Sequence, residues 1–310
     1  MLHEHWAEFL AVTEEAAIAA LPLRGRGDKI AADQAAVDGM HRAFGRAKLK
    51  VRVAIGEGEM DEAPMLFIGE ELGAGGPECD IAVDPLEGTS LTAAGQSGAM
   101  TVLSAGPRGA ILHAPDIYME KFCAGPAARG ALDPEAPLAE NLKRLATALG
   151  KAPAEMTAAV LDRPRHAEIL AALRAAGLRV VLLAHGDVGP AIATCLPDGD
   201  IDLLVGTGGA PEGVITAAAV RCLGGEFWGR LRPENAAERE RAADMLHGDP
   251  ERLLRLEDVV RSDDLVFAAT SVTDSAAGPG PELGARGAFI HSLVVAGGVV
   301  RRVRRFVPAS

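Results

Sequence analysis

The sequence predicts a layered protein combining α+β and α/β organisation. A mixed or antiparallel sheet is expected in residues 1–155, and a largely parallel, helix-covered sheet in residues 156–310. Two observations carry this. Before about residue 155, short apolar strands include a hairpin over 99–112, whose arms pair antiparallel. After it, strands and helices alternate with short turns, the grammar of a parallel sheet. The last strands are allowed to pack back on the first domain.

In chain order, Trp6, Phe9, Leu10, Ala16, Ala17 and Ala20 recur at helical spacing and predict an opening amphipathic helix. A Gly-rich break, Gly25-Arg-Gly-Asp-Lys29, precedes a second helix over 32–46. Lys50 to Ile55 alternates, is β-branched and reads as a strand ending at Gly56-Glu57-Gly58-Glu59. A helix is expected over 63–72, with Pro64 in its first turn. Cys79 to Asp84 is a short apolar strand, 99–112 a hairpin, and 138–149 a helix after a Pro/Ala-rich loop. Strands then fall at 157–161, 178–183 and 201–205, and helices at 167–176, 190–195 and 214–223. The polar stretch 234–253 reads as a surface helix.

Composition narrows the function classes. The chain has 310 residues, and Lys+Arg 31 against Asp+Glu 43 leaves a net charge of −12. Such a chain is a poor binder of nucleic acid, which needs a basic face to replace counterions. The one basic run, Arg301, Arg302, Arg304 and Arg305, reads as a solvated edge strand. Hydrophobic residues at 48% suffice for a large core, built mostly of aliphatics because aromatics are 4%. The four cysteines lack metal-ligand spacing and read as buried thiols in a reducing compartment. The acidic start fits no signal peptide, and no apolar run of about 18 residues is present. A cytoplasmic protein that does not enter membranes is expected.

Three motifs carry chemistry. Asp84-Pro-Leu-Glu-Gly-Thr89 places two carboxylates three residues apart around a proline-stiffened turn. Hard cations suit such carboxylates, and a following helix N-terminus suits an anion. Ile55-Gly-Glu-Gly-Glu-Met-Asp-Glu62 again ends a strand in glycines and acids. Gly208-Gly-Ala-Pro-Glu-Gly213 closes a strand without the Gly-Lys-Ser/Thr of a phosphate loop. Glu212 there is either a partner of the helix dipole or a further ligand. Each motif alone also reads as an ordinary acidic or tight turn.

Together these motifs resemble the class II fructose-1,6-bisphosphatases, within the inositol-monophosphatase-like metal phosphatases. Asp84-Pro-Leu-Glu-Gly-Thr89 is similar to the superfamily's Asp-Pro-Ile-Asp-Gly-Thr signature. The resemblance continues through Gly25 to Lys29 with Ala32-Asp33, Ile55 to Leu66, Asp80 to Thr89, Ala114 to Lys121, Arg163-Pro-Arg-His166 and Gly208 to Gly213. It implies a layered α-β-α-β-α sugar-phosphatase fold. It also implies hydrolysis of the 1-phosphate of fructose 1,6-bisphosphate by metal-activated water, with Mg²⁺ or Mn²⁺ as cofactor.

Asp33, Glu57, Asp84, Glu87 and Glu212 match metal ligands. Thr89 matches the threonine that orients the attacking water. Asp61 matches an acid that helps activate it, and Lys29 a lysine near the reacting phosphate; Glu57 counts with these catalytic groups. Glu87, Gly88, Thr89, Tyr118, Arg165, His166, Gly186, Asp187 and Gly209 match sugar-phosphate contacts, while Lys121 and Arg163 read as helpers or as solvated charges. A homo-oligomer, dimer or tetramer, and a role in gluconeogenesis are also implied. Two departures stand out: His185-Gly-Asp187 where relatives read Asp-Gly-Asp, and a short region around 232–252. The alternatives are a phosphatase of the same superfamily acting on sedoheptulose 1,7-bisphosphate or an inositol phosphate, and a non-catalytic metal- or metabolite-binding regulator.

Overall fold

The computed structural model describes residues 1–58 and 65–309. The helices are α1 (Trp6–Ala20), α2 (Lys29–Phe44), α3 (Thr89–Ala94), α4 (Leu138–Leu149), α5 (Ala167–Ala175), α6 (Val188–Ala193), α7 (Ala210–Leu223), α8 (Ala236–Leu246) and α9 (Leu256–Val259). Strands β1 (Lys50–Ile55), β2 (Glu71–Leu72), β3 (Glu78–Glu87), β4 (Met100–Gly106), β5 (Tyr118–Ala124), β6 (Thr157–Leu161) and β7 (Arg179–Leu183) come first. They are followed by β8 (Leu203–Gly209), β9 (Glu226–Arg232), β10 (Leu254–Arg255), β11 (Val266–Ser271), β12 (Glu282–Gly284), β13 (Gly287–Ala296) and β14 (Val299–Pro308).

The chain divides into two compact units at places other than residue 155. One unit comprises Met1–Leu112 with Arg261–Ser310, and the other His113–Val260. The reason is long-range pairing. Strand β5 precedes β6 and β7 in the chain but pairs with β8 and β9, far downstream, as in Tyr118↔Gly209 and Tyr118↔Arg232. Strands β11 to β14 return to the first sheet.

The first sheet runs β12-β13-β11-β4-β3-β1-β2, with β14 on the outer side of β13. Only β1 and β3 are parallel in it, so it is mixed, as expected. Helices α1 and α2 supply Phe9, Leu10, Val12, Val37, Met40 and Phe44 to its core, all buried. Helix α2 begins at Lys29, earlier than periodicity predicts, because Asp28 caps it by accepting from Ala31 N–H at 2.9 Å. The expected hairpin over 99–112 is replaced by β4 alone, after which the chain turns and leaves the unit. The helix expected over 63–72 is not formed in its described part: residues 71 and 72 pair with β1 instead. Residues 63 and 64 lie outside the described residues.

The second sheet runs β10-β9-β5-β8-β6-β7. It is parallel only across β7, β6 and β8; β5, β9 and β10 are antiparallel, so the largely parallel expectation holds for half the sheet. Phe122 and Trp228 face each other across β5 and β9, their rings stacked at 3.9 Å. Each unit is thus a layered arrangement of helix and sheet. No helix among the described residues is long and apolar enough to cross a membrane.

Two charged groups in the first unit are structural. Asp80 is fully buried on β3 and receives Nε and Nη2 of Arg52 at 2.9 and 2.8 Å, plus Gly109 N–H at 2.6 Å. Glu14 is buried on α1, where Arg305 Nε reaches it at 2.7 Å and Ser292 Oγ donates at 3.4 Å. Burial pushes the Glu14 carboxyl above its ordinary range, and Arg305 and then Ser292 pull it partly back.

A raised carboxyl favours folding while it is protonated. Glu14's contribution is therefore full below the unfolded value and lost as pH rises through the folded one. Relative to Glu14→Gln, the wild type should lose stability between mildly acidic and alkaline pH. Denaturant unfolding across that range measures this, and parallel stability curves would contradict it.

Candidate active site and metal-binding residues

In the first unit the site is built from neighbouring strand ends. Strands β1 and β3 are parallel, with Ile55 opposite Ala82, so Glu57, just past β1, and Asp84 to Glu87, the last residues of β3, lie at the same end of the sheet; the turn expected at Pro85 is a bulge within the strand. Gly56 is required there. A Cβ at that position would lie 2.0 Å from the Leu66 carbonyl oxygen, which accepts the Glu57 N–H at 3.0 Å. The backbone that presents Glu57 is thereby held, and Glu57 itself is half-buried.

The register of β3 slips between Asp84 and Glu87. This break lets residues three apart turn the same way, and their carboxylate oxygens approach within 4.8 Å. Asp84 Oδ1 also accepts Leu86 N–H at 2.9 Å, which stiffens the bulge around Pro85. Gly88 follows at φ 85°, a left-handed conformation that glycine adopts without penalty, and starts α3 at Thr89. With six residues, α3 has little macrodipole, so the expected anion site at its N-terminus is weaker than a long helix would give.

The Gly25 to Lys29 loop lies against α3. Gly25 and Gly27 donate their N–H groups to the Thr92 and Ala93 carbonyls, each at 2.9 Å. Lys29, exposed, and Asp33, half-buried, follow on α2. Burial raises the Asp33 carboxyl above its ordinary range. The set is all hard oxygen, the donor type that Mg²⁺ and Mn²⁺ prefer, and the Asp84–Glu87 pair has the spacing to share a cation. Asp61 lies outside the described residues.

In the second unit the matched residues gather where β6, β7 and β8 end, the side on which open parallel sheets bind ligands. Arg165, exposed, stacks its guanidinium 4.5 Å from the Tyr118 ring centroid and donates Nη2 to the Thr207 carbonyl at 2.8 Å. Tyr118 is itself partly exposed, though it starts a strand and not the turn its neighbours suggest. Gly186 has φ 71° and leads into Asp187, the buried residue before α6. His185 is exposed beside them.

The glycines of Gly208-Gly-Ala-Pro-Glu-Gly213 each clear one neighbour. A Cβ at 208 would lie 2.4 Å from Asp187 Oδ2, one at 209 would lie 2.0 Å from Glu212 Oε2, and one at 213 would lie 2.6 Å from Met119 Sδ. Glu212 itself sits in the first turn of α7 behind Pro211.

His166, matched to a sugar-phosphate contact by the resemblance, is a buried residue. It is 1% exposed, its Nδ1 sits 2.7 Å from the Leu161 carbonyl, and Thr207 N–H donates to its Nε2 at 2.8 Å. These partners assign the neutral tautomer protonated at Nδ1 and occupy both nitrogens. Lys121 departs from the solvated reading: it is 1% exposed, with Nζ 2.6 Å from Asp187 Oδ2. Thr207, absent from every motif, is gripped at its N–H by His166 and at its carbonyl by Arg165. Nothing local in the sequence signals these roles, because each depends on strands paired across long separations. His166→Ala should cost about 2–4 kcal/mol, since two part-buried backbone groups lose their partners and a buried ring is removed. Denaturant unfolding checks this, and a loss under about 1 kcal/mol would contradict it.

Residues 3–307 match the family described as bacterial fructose-1,6-bisphosphatase, glpX-encoded. The chain is 45% identical over 286 residues to a protein of Escherichia coli K12 named fructose-1,6-bisphosphatase 1 class 2, covering 88% of this chain and 85% of that one. It is 46% identical over 281 residues to the class 2 fructose-1,6-bisphosphatase of Haemophilus influenzae, covering 86% and 84%. A solved structure, titled extragenic suppressor from Pyrococcus furiosus, aligns at 15% identity with a TM-score of 0.35 over 65% of this chain and 74% of that chain, too loosely to bear on the fold. A family match across nearly the whole chain, joined to relatives at this identity, shows that the chain belongs to the bacterial class 2 fructose-1,6-bisphosphatase family and is a phosphatase.

Proposed function

We propose that the protein hydrolyses the 1-phosphate of fructose 1,6-bisphosphate to fructose 6-phosphate and inorganic phosphate. Water attacks directly, and no covalent phosphoenzyme forms. The family match supports the substrate, and the observation that carries the chemistry is the approach of the Asp84 and Glu87 carboxylates within 4.8 Å. Asp33, Glu57, Asp84, Glu87 and Glu212 are the proposed ligands of Mg²⁺ or Mn²⁺. When bound, these ions neutralise phosphate charge and lower the pKa of water.

The chain's own groups do the rest. Thr89, at the start of α3, orients the attacking water through its hydroxyl, and Asp61 and Glu57 help draw its proton. Lys29 meets the charge on the reacting phosphate. The backbone of Glu87, Gly88 and Thr89 lies along that phosphate. The sugar and distal phosphate go to Tyr118, Arg165, Gly186, Asp187 and Gly209. Arg165 suits this because a guanidinium grips phosphate in a bidentate way. His166 supports that group from within, holding Thr207 for Arg165.

A cysteine nucleophile is disfavoured: Cys79 is buried, and burial pushes its thiol up to about 12. Cys123 and Cys195 are buried too, while Cys222, near the end of α7, is half-buried and departs from the buried thiol expected of all four. We place the enzyme in the cytoplasm, as a homo-oligomer serving gluconeogenesis. Family membership at this coverage favours neither the other superfamily substrates nor a non-catalytic regulator.

Phosphate release should be greatest, by kcat/KM, from fructose 1,6-bisphosphate when it is compared with sedoheptulose 1,7-bisphosphate and inositol phosphates. It should require added Mg²⁺ or Mn²⁺. Arg165→Ala should raise KM for the bisphosphate about tenfold or more. Release that persists in excess chelator, or that favours an inositol phosphate, would contradict the proposal.

A further inference from the structure

A lysine ammonium removed from water is expensive unless ion pairing and hydrogen bonds replace its hydration. Lys121 meets that condition inside the second unit. It lies in the middle of β5, opposite Gly206 on β8 and Gly229 on β9. The residue is 1% exposed. Its Nζ sits 2.6 Å from Asp187 Oδ2 and donates to the Gly209 carbonyl at 3.0 Å.

The surrounding backbone is shaped to this side chain. A Cβ on Gly208 would lie 3.0 Å from Lys121 Nζ and 2.4 Å from Asp187 Oδ2, and one on Gly213 would lie 3.3 Å from Lys121 Cδ. Two glycines of the Gly208 to Gly213 motif therefore leave room for this buried stem and its ion pair. The ammonium ties together two segments that no backbone pairing joins: the loop before α6, through Asp187, and the end of β8, through Gly209. Asp187 and Gly209 are both proposed sugar-phosphate contacts, and Lys121 is enclosed behind them.

We propose that Lys121 is a positioning residue for substrate, acting through Asp187. Its ammonium bridges one carboxylate oxygen of Asp187 and the Gly209 carbonyl and so aims the other carboxylate oxygen at the sugar. It also cancels the Asp187 charge beside a place where a polyanionic substrate must bind. Lys121 touches no reacting atom, so its loss weakens substrate capture more than the chemical step. This inference rests on the bisphosphatase reading of the same site.

The test is a double-mutant cycle on the Mn²⁺-loaded protein, assayed by phosphate release from fructose 1,6-bisphosphate. Lys121→Met should raise KM about tenfold with kcat within about threefold of wild type. The double variant, Lys121→Met with Asp187→Asn, should lose less than the product of the two single losses. A Lys121→Met KM within about twofold of wild type overturns the proposal, and so does a double loss equal to that product.

Should Lys121→Met not fold, the double variant, which removes both charges, is compared with Asp187→Asn alone. A similar KM supports the proposal, and a further tenfold rise overturns it. Absence of phosphate release from the wild type itself would remove the bisphosphatase reading and this inference with it. Release by the wild type together with an unaffected Lys121→Met removes the inference only.

Discussion

Two carboxylates within 4.8 Å of each other, Asp84 and Glu87, impose the constraint around which the first unit is organised. At an effective dielectric of about 20, Coulomb's law sets their repulsion at about 3 kcal/mol. A fold keeps such a pair only when the backbone holds it there and a positive charge is available to it. The backbone part is visible: the register slip at the end of β3, the Pro85 bulge locked by the Asp84–Leu86 hydrogen bond, and left-handed Gly88. The parallel β1 then brings Glu57 to the same end of the sheet, and the Gly25–Lys29 loop is stitched to α3 nearby. A net charge of −12 argues against long polyanions, yet it is compatible with a small bisphosphate once cations occupy such a cluster.

The second unit solves the complementary problem with fixed cations and oriented amides. Arg165 is clamped between the Tyr118 ring and the Thr207 carbonyl, which removes much of the rotamer freedom a free arginine would lose on binding. His166 holds the amide of the same Thr207, so one strand end is gripped from both sides. Glycines at 208, 209 and 213 permit this density, since a methyl group at any of them would collide with Asp187, Glu212 or Met119.

Much of this was legible in the sequence where the signal is local. Strands ending in glycine and acid marked Glu57, Asp84 and Glu87, and helical periodicity marked α1, α4, α5 and α7 within a few residues. What escaped is non-local. Strand β5 carries Glu120 and Lys121 among apolar residues, so a single lysine there reads as solvated; only its pairing with β8 and β9 encloses it. The same pairing moves the unit boundary to residues 112/113 and makes half of the second sheet antiparallel. Asp80 and Asp84 look alike on one strand, yet Arg52 across the parallel pair neutralises Asp80 while Asp84 approaches Glu87. His166 matches a sugar-phosphate contact only by resemblance, and no spacing rule reveals that its ring nitrogens are taken by Leu161 and Thr207.

Catalysis by this site depends on whether Asp84 and Glu87, at the end of β3, hold a divalent cation. Mn²⁺ titrated into metal-free protein, with the free ion followed by its electron paramagnetic resonance signal, measures this without substrate or turnover. Wild type should bind Mn²⁺ saturably, and folded Asp84→Asn should bind it at least about a hundredfold more weakly, since even outer-shell partners of metal sites are worth about 10–100-fold. Equal Mn²⁺ binding by the two proteins, or no saturable binding by the wild type, would contradict the account.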